Sequence, residues 1–314
     1  MKKIAFEKPI GLQIEITGKC NLVCKHCYNS SGDIGKYDIS DQVWIKFFED
    51  FLTQYSVSNI NISGGEPLLR KKVLLSIIEK IQQNNKLTKV VIMTNGYFIT
   101  DKFLKELQQF QNPIEFQVSL DGANKASHEI VRIVEGSWEK SIDACINIVN
   151  HGFKLGIAST VTTQNILEIE DLFELSVAIG AHSLTIGPAV KLGRSIVDSN
   201  HLILNDESEK NVRKKLNSLK NVYDDFLNII VTSSVLFAYK NYSEIEPDWF
   251  LVNHRGGVKI DSCLPYIVGN ITTELSVNLW QTVLTKYRDV TFKEIIKNAL
   301  KTDTIISNIY EVSL

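Results

Sequence analysis

Three of the five cysteines in this chain stand within eight positions of one another, in the stretch KCNLVCKHCYNS. Closely spaced thiolates are ligands for soft metals, so a zinc ion and an iron–sulfur cluster are the two candidates. A structural zinc site takes four ligands, usually from two separated pairs, whereas Cys145 and Cys263 each stand alone. Three thiolates on a four-iron cluster leave one iron open for a further ligand. We therefore expect Cys20, Cys24 and Cys27 to hold such a cluster, with zinc as the alternative.

Further polar motifs follow three of the β-branched runs downstream of the cysteines. One run ends in Ser-Gly-Gly-Glu-Pro (63–67), in which the glycines let the backbone approach a ligand closely and Glu66 offers an acceptor for an ammonium group. The next two runs end in Met-Thr-Asn-Gly (93–96) and Val-Ser-Leu-Asp-Gly (118–122). Hydroxyl, amide and carboxylate groups thus recur where successive runs end, which predicts one shared site.

The elements that must position these motifs alternate regularly along the first two thirds of the chain. Six short β-branched runs are predicted as strands: 11–17, 57–63, 89–94, 114–120, 154–161 and 183–188. Segments with apolar residues three and four positions apart are predicted as helices: 41–55, 71–85, 101–110, 138–152 and 167–180. This alternation predicts an α/β fold with a parallel sheet, as a partial barrel of six β/α units or a doubly wound sheet. Six units are too few for a closed eight-stranded barrel.

The rhythm changes after about residue 204, where a long charged helical pattern (205–230) begins. Two strand-like runs around Arg-Gly-Gly predict a hairpin at 250–261, and a further helix is expected at 291–302. We therefore predict two domains, residues 1–204 and residues 205–314, the second smaller and of the α+β type.

Taken together, the cysteine spacing and the three downstream motifs resemble the radical SAM family. The resemblance implies one [4Fe–4S] cluster, S-adenosylmethionine (SAM) chelated at the open iron, and reductive cleavage of SAM to a 5′-deoxyadenosyl radical that abstracts hydrogen from a substrate. It also implies that the partial barrel carries the cluster at the carboxyl ends of its strands. The residues that the resemblance places around SAM are Tyr28, Gly64, Gly65, Glu66, Pro67, Thr94, Asn95, Ser119 and Asp121. We further expect Arg132 to pair with the SAM carboxylate or with a surface acid, and His26 to pack beside the adenine.

The second half resembles the SPASM or twitch extension of that family, through the hairpin, the segment near 263–271 and the Gly193-Arg194 pair. That extension binds auxiliary clusters through several cysteines, whereas only Cys145 and Cys263 remain here. We therefore predict a single cluster and a lost auxiliary site. Cys145 is expected in the core. Cys263 is interpreted as a buried small side chain, as a vestige of the lost site, or as a hydrogen donor to a substrate radical.

Charge and composition restrict where the chain works. The formal net charge is −2, from 34 basic and 36 acidic residues, so no overall field attracts nucleic acid. We expect neither a membrane span nor a signal peptide, because no long uncharged apolar run is present and Glu7 and Lys8 interrupt the N-terminal one. Clustered thiols in a chain without a signal peptide indicate a cytoplasmic protein.

The resemblance implies a peptide substrate, a ribosomally made precursor (RiPP precursor), that is cross-linked, epimerised or otherwise modified at carbon. The alternative is a dehydrogenase, mutase or lyase that acts on a small molecule in cofactor or antibiotic biosynthesis. A non-catalytic sensor would need no SAM pocket. The partners that we expect are a peptide substrate and an external reductant such as flavodoxin or ferredoxin. Because few residues precede the first strand, we expect the leader of a precursor to be recognised by a separate leader-binding protein or by an edge strand of the barrel.

Overall fold

A computed structural model of the chain describes residues 6–32, 37–197, 199–232, 247–262, 264, 266–291, 294 and 312–313. Its strands form one sheet, in the order β11-β10-β9-β8-β1-β2-β3-β4-β5-β6-β7. The strands are β1 Gly11–Glu15, β2 Asn59–Ser63, β3 Lys89–Thr94, β4 Ile114–Ser119, β5 Lys154–Val161, β6 Ser183–Pro188, β7 Asn228–Val231, β8 Trp249–Val252, β9 Gly257–Lys259, β10 Tyr266–Asn270 and β11 Val312–Ser313. Neighbours from β1 to β7 pair in parallel and form the wall of a partial barrel.

Helices connect the parallel strands, as the apolar periodicity predicts. They are α1 Asp41–Gln54, α2 Lys71–Asn84, α3 Asp101–Leu107, α4 Lys125–Arg132, α5 Ser137–Asn150, α6 Ile169–Ala178, α7 Ser199–Leu202, α8 Asp206–Tyr223 and α9 Ser276–Arg288. Ser40 caps α1 by accepting from Val43 N, and Thr100 caps α3 by accepting from Phe103 N. None of the helices in the described parts of the chain is long and apolar enough to cross a membrane.

The core lies between the helices and the outer face of the sheet. On α1 the apolar residues three and four positions apart are buried, which places an aromatic stripe against the strands: Trp44, Phe47, Phe48 and Phe51. Phe51 packs edge-on against Phe250 of β8, with ring centroids 5.4 Å apart. The same aromatic cluster therefore joins the first helix to the second half of the chain.

The inner face of the sheet is polar by contrast. Burial alternates residue by residue along β3 and β4, so that every second side chain faces the helices and the others face the inside of the barrel. Amide and hydroxyl side chains occupy the inner positions of several strands, among them Gln13, Gln117 and Thr185. This alternation gives the barrel an interior that can bind polar groups.

All six predicted strands are confirmed, each within two residues at either end. The predicted helix at 205–230 is wrong at its C-terminal end: α8 ends at Tyr223, and Asn228–Val231 form β7, because the run Asn-Ile-Ile-Val pairs with β6. The hairpin is confirmed as antiparallel β8 and β9. Most of the helix expected at 291–302 lies outside the described residues.

The sheet continues across the predicted domain boundary. Strand β7 extends it beside β6, and β8 extends it beside β1, with Gly11 opposite Trp249. Residue 204 therefore lies between helices α7 and α8, and strands from both sides of it belong to the same sheet. The division into two domains stays a prediction.

Candidate functional site

The three clustered cysteines lie on a loop (residues 18–32, the cysteine loop) that follows β1 and closes on itself. Cys20 N donates to Gly32 O (2.9 Å), and Gly32 N donates to Gly18 O (3.2 Å). Burial raises the pKa of Cys20 to about 12 and that of Cys24 to about 11. Without a metal these thiols are protonated at neutral pH, so metal binding must displace their protons.

A cavity of about 430 Å³ opens beside the cysteine loop, at the carboxyl ends of the parallel strands. All three cysteines line it, together with residues that follow or end β2, β3 and β4. The residues predicted around SAM that line this cavity are Tyr28, Gly64, Gly65, Thr94, Asn95, Ser119 and Arg132. The structure thus brings together the cysteines and most of the predicted cofactor residues.

Gly64 and Gly65 lie where the end of β2 crosses the start of the cysteine loop. A Cβ on Gly64, whose φ is +146°, would lie 2.5 Å from Thr17 O, and one on Gly65 would lie 2.2 Å from Lys19 O. Gly65 N donates to Thr17 O at 2.7 Å. Both positions therefore require glycine, since the two backbones touch beside the cavity.

Glu66 and Pro67 lie behind this wall and do not line the cavity. The Glu66 carboxylate accepts from Leu68 N (3.1 Å), from the Thr94 hydroxyl (2.8 Å) and from Asn95 N (2.8 Å). Burial raises its pKa to about 7, against these donors. We infer that Glu66 positions Thr94 and Asn95. The expected direct contact of Glu66 and Pro67 with SAM stays a prediction.

Asn95 connects this wall to the cysteine loop. Its Nδ2 donates to Asn21 Oδ1 (2.9 Å) and lies 3.8 Å from Cys20 Sγ. The motif at the end of β3 therefore contacts the loop at the first cysteine, while its Thr94 hydroxyl is held by Glu66.

Asp121 is the centre of a buried ionic network. Its Oδ2 accepts from His26 Nε2 (2.6 Å) and from Arg132 Nε (2.8 Å), and its Oδ1 accepts from Thr160 N (2.9 Å). Burial alone would raise the pKa of Asp121, but Arg132 and His26 hold it well below its ordinary value. At 1% exposure the carboxylate does not line the cavity. We infer that Asp121 acts by holding His26 and Arg132, and its contact with SAM stays a prediction.

Arg132 reaches the cavity from this network rather than from the surface. Its Nε is taken by Asp121, and its Nη1 lies 3.9 Å from Cys24 Sγ. The surface salt bridge that we weighed for this residue is excluded by its 6% exposure. His26, expected to pack beside adenine, does line the cavity, and its pairing with Asp121 is a contact that the sequence patterns do not predict.

Tyr28 contacts an acidic residue, Glu15, that the sequence patterns did not indicate. Its hydroxyl donates to Glu15 Oε1 at 2.8 Å, and Glu15 Oε2 lies 3.8 Å from His254 Nδ1 in the hairpin turn. Burial opposes ionisation of Glu15, but the nearby His254 and Lys259 hold its pKa below the ordinary value. The signal that could have revealed Glu15 is its place as an acidic residue on the inner face at the end of β1.

Of the two remaining cysteines, the structure describes Cys145, which does not line the cavity. Cys145 is fully buried in α5, as expected, and burial raises its pKa to about 12. Cys263 lies outside the described residues, so its role as a hydrogen donor stays a prediction.

The donor set fits a cluster better than a single ion. Among the residues that the structure describes, no three His, Cys, Asp or Glu side chains converge closely enough to hold one metal ion. Three thiols spread along one loop, beside a cavity large enough for a further ligand, suit the wider four-iron cluster with one open iron.

Known proteins with similar sequences support this interpretation. Sporulation killing factor maturation protein SkfB of Bacillus subtilis is 27% identical over 224 residues, which are 71% of this chain and 52% of SkfB. AdoMet-dependent heme synthase of Methanosarcina barkeri is 31% identical over 183 residues, 57% of this chain and 50% of that protein. The chain therefore spans about half the length of these relatives.

The fold is shared with solved structures. Streptococcus suis SuiB bound to precursor peptide SuiA superposes with a TM-score of 0.69 at 16% identity, over 92% of this chain and 67% of SuiB. The family model described as the Radical SAM superfamily matches residues 14–176, just over half of the chain. The chain therefore belongs to the radical SAM superfamily, whose enzymes use a [4Fe–4S] cluster and S-adenosylmethionine.

Proposed function

We propose that this chain is a radical SAM enzyme that modifies a peptide, with Cys20, Cys24 and Cys27 as the ligands of a single [4Fe–4S] cluster. When bound, the cluster and SAM supply a 5′-deoxyadenosyl radical that removes a hydrogen atom from a substrate C–H bond. The chain's own task is to orient that bond and to exclude water from the cavity.

Several residues that line the cavity could bind SAM. Arg132 keeps its Nη groups toward the cavity while Asp121 holds its Nε, so the guanidinium is oriented to receive the SAM carboxylate. Gly64 and Gly65 expose backbone groups at the cavity wall, and Thr94, Asn95 and Ser119 add neutral hydrogen-bonding groups there.

The observation that carries the peptide assignment is the charge of the cavity lining. Apart from the three cysteines and Tyr28, the ionisable side chains among its described lining residues are His26 and Arg132, and both pair with Asp121. If Arg132 also receives the SAM carboxylate, no cation of this lining is left for an acidic substrate. A carboxylate of an acidic substrate that is buried in this cavity would therefore have no cationic partner in the lining.

A neutral peptide segment fits this interior better than a polycarboxylate. Gln13, Gln117 and Thr185 line the inner part of the cavity and can exchange hydrogen bonds with backbone amides. Ser159, which is 7% exposed, lines the cavity, and its hydroxyl has no hydrogen-bond partner among the residues that the structure describes. The precursor peptide SuiA bound to SuiB agrees with this substrate class, and SkfB is a maturation protein, whereas the heme synthase stands for the small-molecule alternative.

The partners and location follow from the same proposal. An external reductant such as flavodoxin or ferredoxin would deliver the electron, and a separate protein would bind the leader of a precursor peptide. We place the enzyme in the cytoplasm, without nucleic acid or membrane as partners, because a cluster with free thiols needs a reducing compartment.

Anaerobic reconstitution with iron and sulfide, followed by SAM and dithionite, tests the proposal. We expect 5′-deoxyadenosine, and a mass change in a pool of synthetic peptides with neutral side chains but none in a tetracarboxylate porphyrin. Mass change in the porphyrin alone would overturn the peptide assignment. No 5′-deoxyadenosine from a chain with a full cluster would favour a non-catalytic sensor.

A further inference from the structure

The segment that follows β6 donates hydrogen bonds to the cysteine loop through Arg194. Arg194 Nη1 donates to Cys24 O (2.7 Å), its Nη2 donates to Ser31 O, and its backbone N donates to Cys27 O (2.9 Å). One residue thus holds the loop at three backbone carbonyls, two of which belong to cluster cysteines. In the described parts of the chain, the side chain of Arg194 donates to backbone carbonyls of the cysteine loop and does not bind a carboxylate or the end of a helix.

The neighbouring Gly193 allows this close approach. Its φ is +56°, and a Cβ at this position would lie 2.2 Å from Tyr28 O and 2.5 Å from Cys27 O. The turn itself is rigid, because the buried Ser195 hydroxyl donates to Val190 O (2.7 Å) and accepts from Leu192 N (2.9 Å). Gly193 and Arg194 therefore form a fixed support, here called the Gly193–Arg194 brace.

The guanidinium also places a positive charge beside the cysteines. No carboxylate in the described parts of the chain lies within ion-pair distance of Arg194. Reduction adds one negative charge to a cluster, and a nearby cation stabilises that reduced form.

We propose that Arg194 is a positioning residue for the cluster. The two hydrogen bonds of its guanidinium to Cys24 O and Ser31 O, here called the fork, fix the cysteine loop before the cluster binds, and its charge raises the reduction potential of the cluster. The proposal rests on the assignment of Cys20, Cys24 and Cys27 as the cluster ligands. It does not depend on which substrate the enzyme modifies.

Two substitutions separate the fork from the charge. Arg194→Lys keeps the charge but can reach fewer carbonyls, whereas Arg194→Gln removes the charge. Arg213→Gln is the control, because Arg213 on helix α8 pairs with Glu209 and donates to Thr232 O, and it makes no hydrogen bond to the cysteine loop in the described parts of the chain.

The first measurement uses the metal-free chain. Hydrogen exchange of the amides in residues 18–32 should be about tenfold faster in both Arg194 variants, while the amides of β3 and β4 keep wild-type protection. This comparison also shows whether the variants are folded. Unchanged exchange in the cysteine loop would overturn the role of the fork.

The second measurement is a redox titration of the reconstituted cluster, without SAM, followed by electron paramagnetic resonance. At a fixed ambient potential, the ratio of reduced to oxidised cluster should be about tenfold lower in Arg194→Gln than in wild type. This corresponds to a midpoint potential that is ~59 mV lower for a one-electron couple. Arg194→Lys and Arg213→Gln should titrate like wild type. Equal midpoints for Arg194→Gln and wild type would overturn the role of the charge. Failure of the wild-type chain to bind iron would instead contradict the ligand assignment.

Discussion

His26 Nε2 lies 2.6 Å from Asp121 Oδ2, so a side chain between Cys24 and Cys27 is bound to a residue just after β4. The same oxygen accepts from Arg132 Nε. One buried carboxylate therefore holds both the cysteine loop and the guanidinium that faces the cavity.

Asp121→Asn should weaken SAM binding by at least about tenfold and lower the free energy of unfolding by about 3 kcal/mol, because it leaves Arg132 buried without its counter-ion. Equilibrium dialysis with SAM and urea unfolding measure the two effects. Asp143→Asn makes the same chemical change at an exposed position of α5 and should alter neither quantity. Equal effects of the two substitutions would contradict the network.

Cys24→Ala should abolish cluster binding and the formation of 5′-deoxyadenosine, because Cys24 is one of three proposed ligands. Cys145→Ala is the matched control: it removes a buried thiol from α5 and should leave the iron content unchanged. The readouts are iron per chain and chromatography of the nucleoside. A cluster that persists in Cys24→Ala would show that the ligand assignment is wrong.

Iron analysis of the reconstituted wild-type chain should give about four irons per chain. Apart from the three loop cysteines, the free cysteine among the described residues is Cys145, which the core encloses. Substantially more iron, with matching sulfide, would mean that a second cluster binds and that the auxiliary site is not lost.

The unfolding free energy of the metal-free chain should depend on pH through Glu66. The pKa of this carboxyl is about 7 in the folded chain against 4.5 ordinarily, so folding favours its protonated form. Its contribution is complete below pH 4.5 and is lost as the pH rises through about 7, a change of about 3 kcal/mol.

Urea unfolding at pH 5 and pH 8 checks this dependence. Glu66→Gln stays neutral, so its stability should fall less over this interval than that of wild type, although Gln offers poorer acceptors to the three donors. Glu174→Gln, at an exposed position of α6, should follow wild type. Parallel pH profiles for wild type and Glu66→Gln would refute the prediction.

Gly64→Ala should prevent normal closure of the cavity wall, because its Cβ would lie 2.5 Å from Thr17 O. Gly136→Ala also places a Cβ on a residue with positive φ, here +78° in the left-handed helical region, but no atom of the described residues lies within 4 Å of the added carbon. We expect Gly136→Ala to lower stability by about 1 kcal/mol and Gly64→Ala to lower it by clearly more. SAM binding should be lost in Gly64→Ala alone. Equal losses would mean that φ, and not the close approach, is responsible.

Much of the fold was predictable because it depends on local patterns. The six parallel strands are predicted by their β-branched runs, and α1 and α3 by apolar residues three and four positions apart. Strand β7 was missed because its four residues follow a helical pattern without a break, and only pairing with β6 decides their conformation.

The site was predictable as a set of motifs but not as a set of contacts. Cysteine spacing and strand-end motifs placed the cavity correctly, since the ends of parallel strands meet at one edge. Sequence could not tell that Asp121 and Glu66 point into buried networks, because their partners His26 and Thr94 are 95 and 28 positions away. Such pairings depend on the completed sheet.

The pairing of β1 with β8 has a consequence for the order of folding. Gly11 meets Trp249 across 238 positions of sequence, whereas β1 meets β2 after fewer than fifty. Contacts of such long range form late, since a large loop must close first. During synthesis, the outer edge of the first strand stays without this partner until the ribosome has released residues 249–252. The unpaired edge of β1, the strand that precedes the cysteine loop, is therefore a site through which the nascent chain can aggregate.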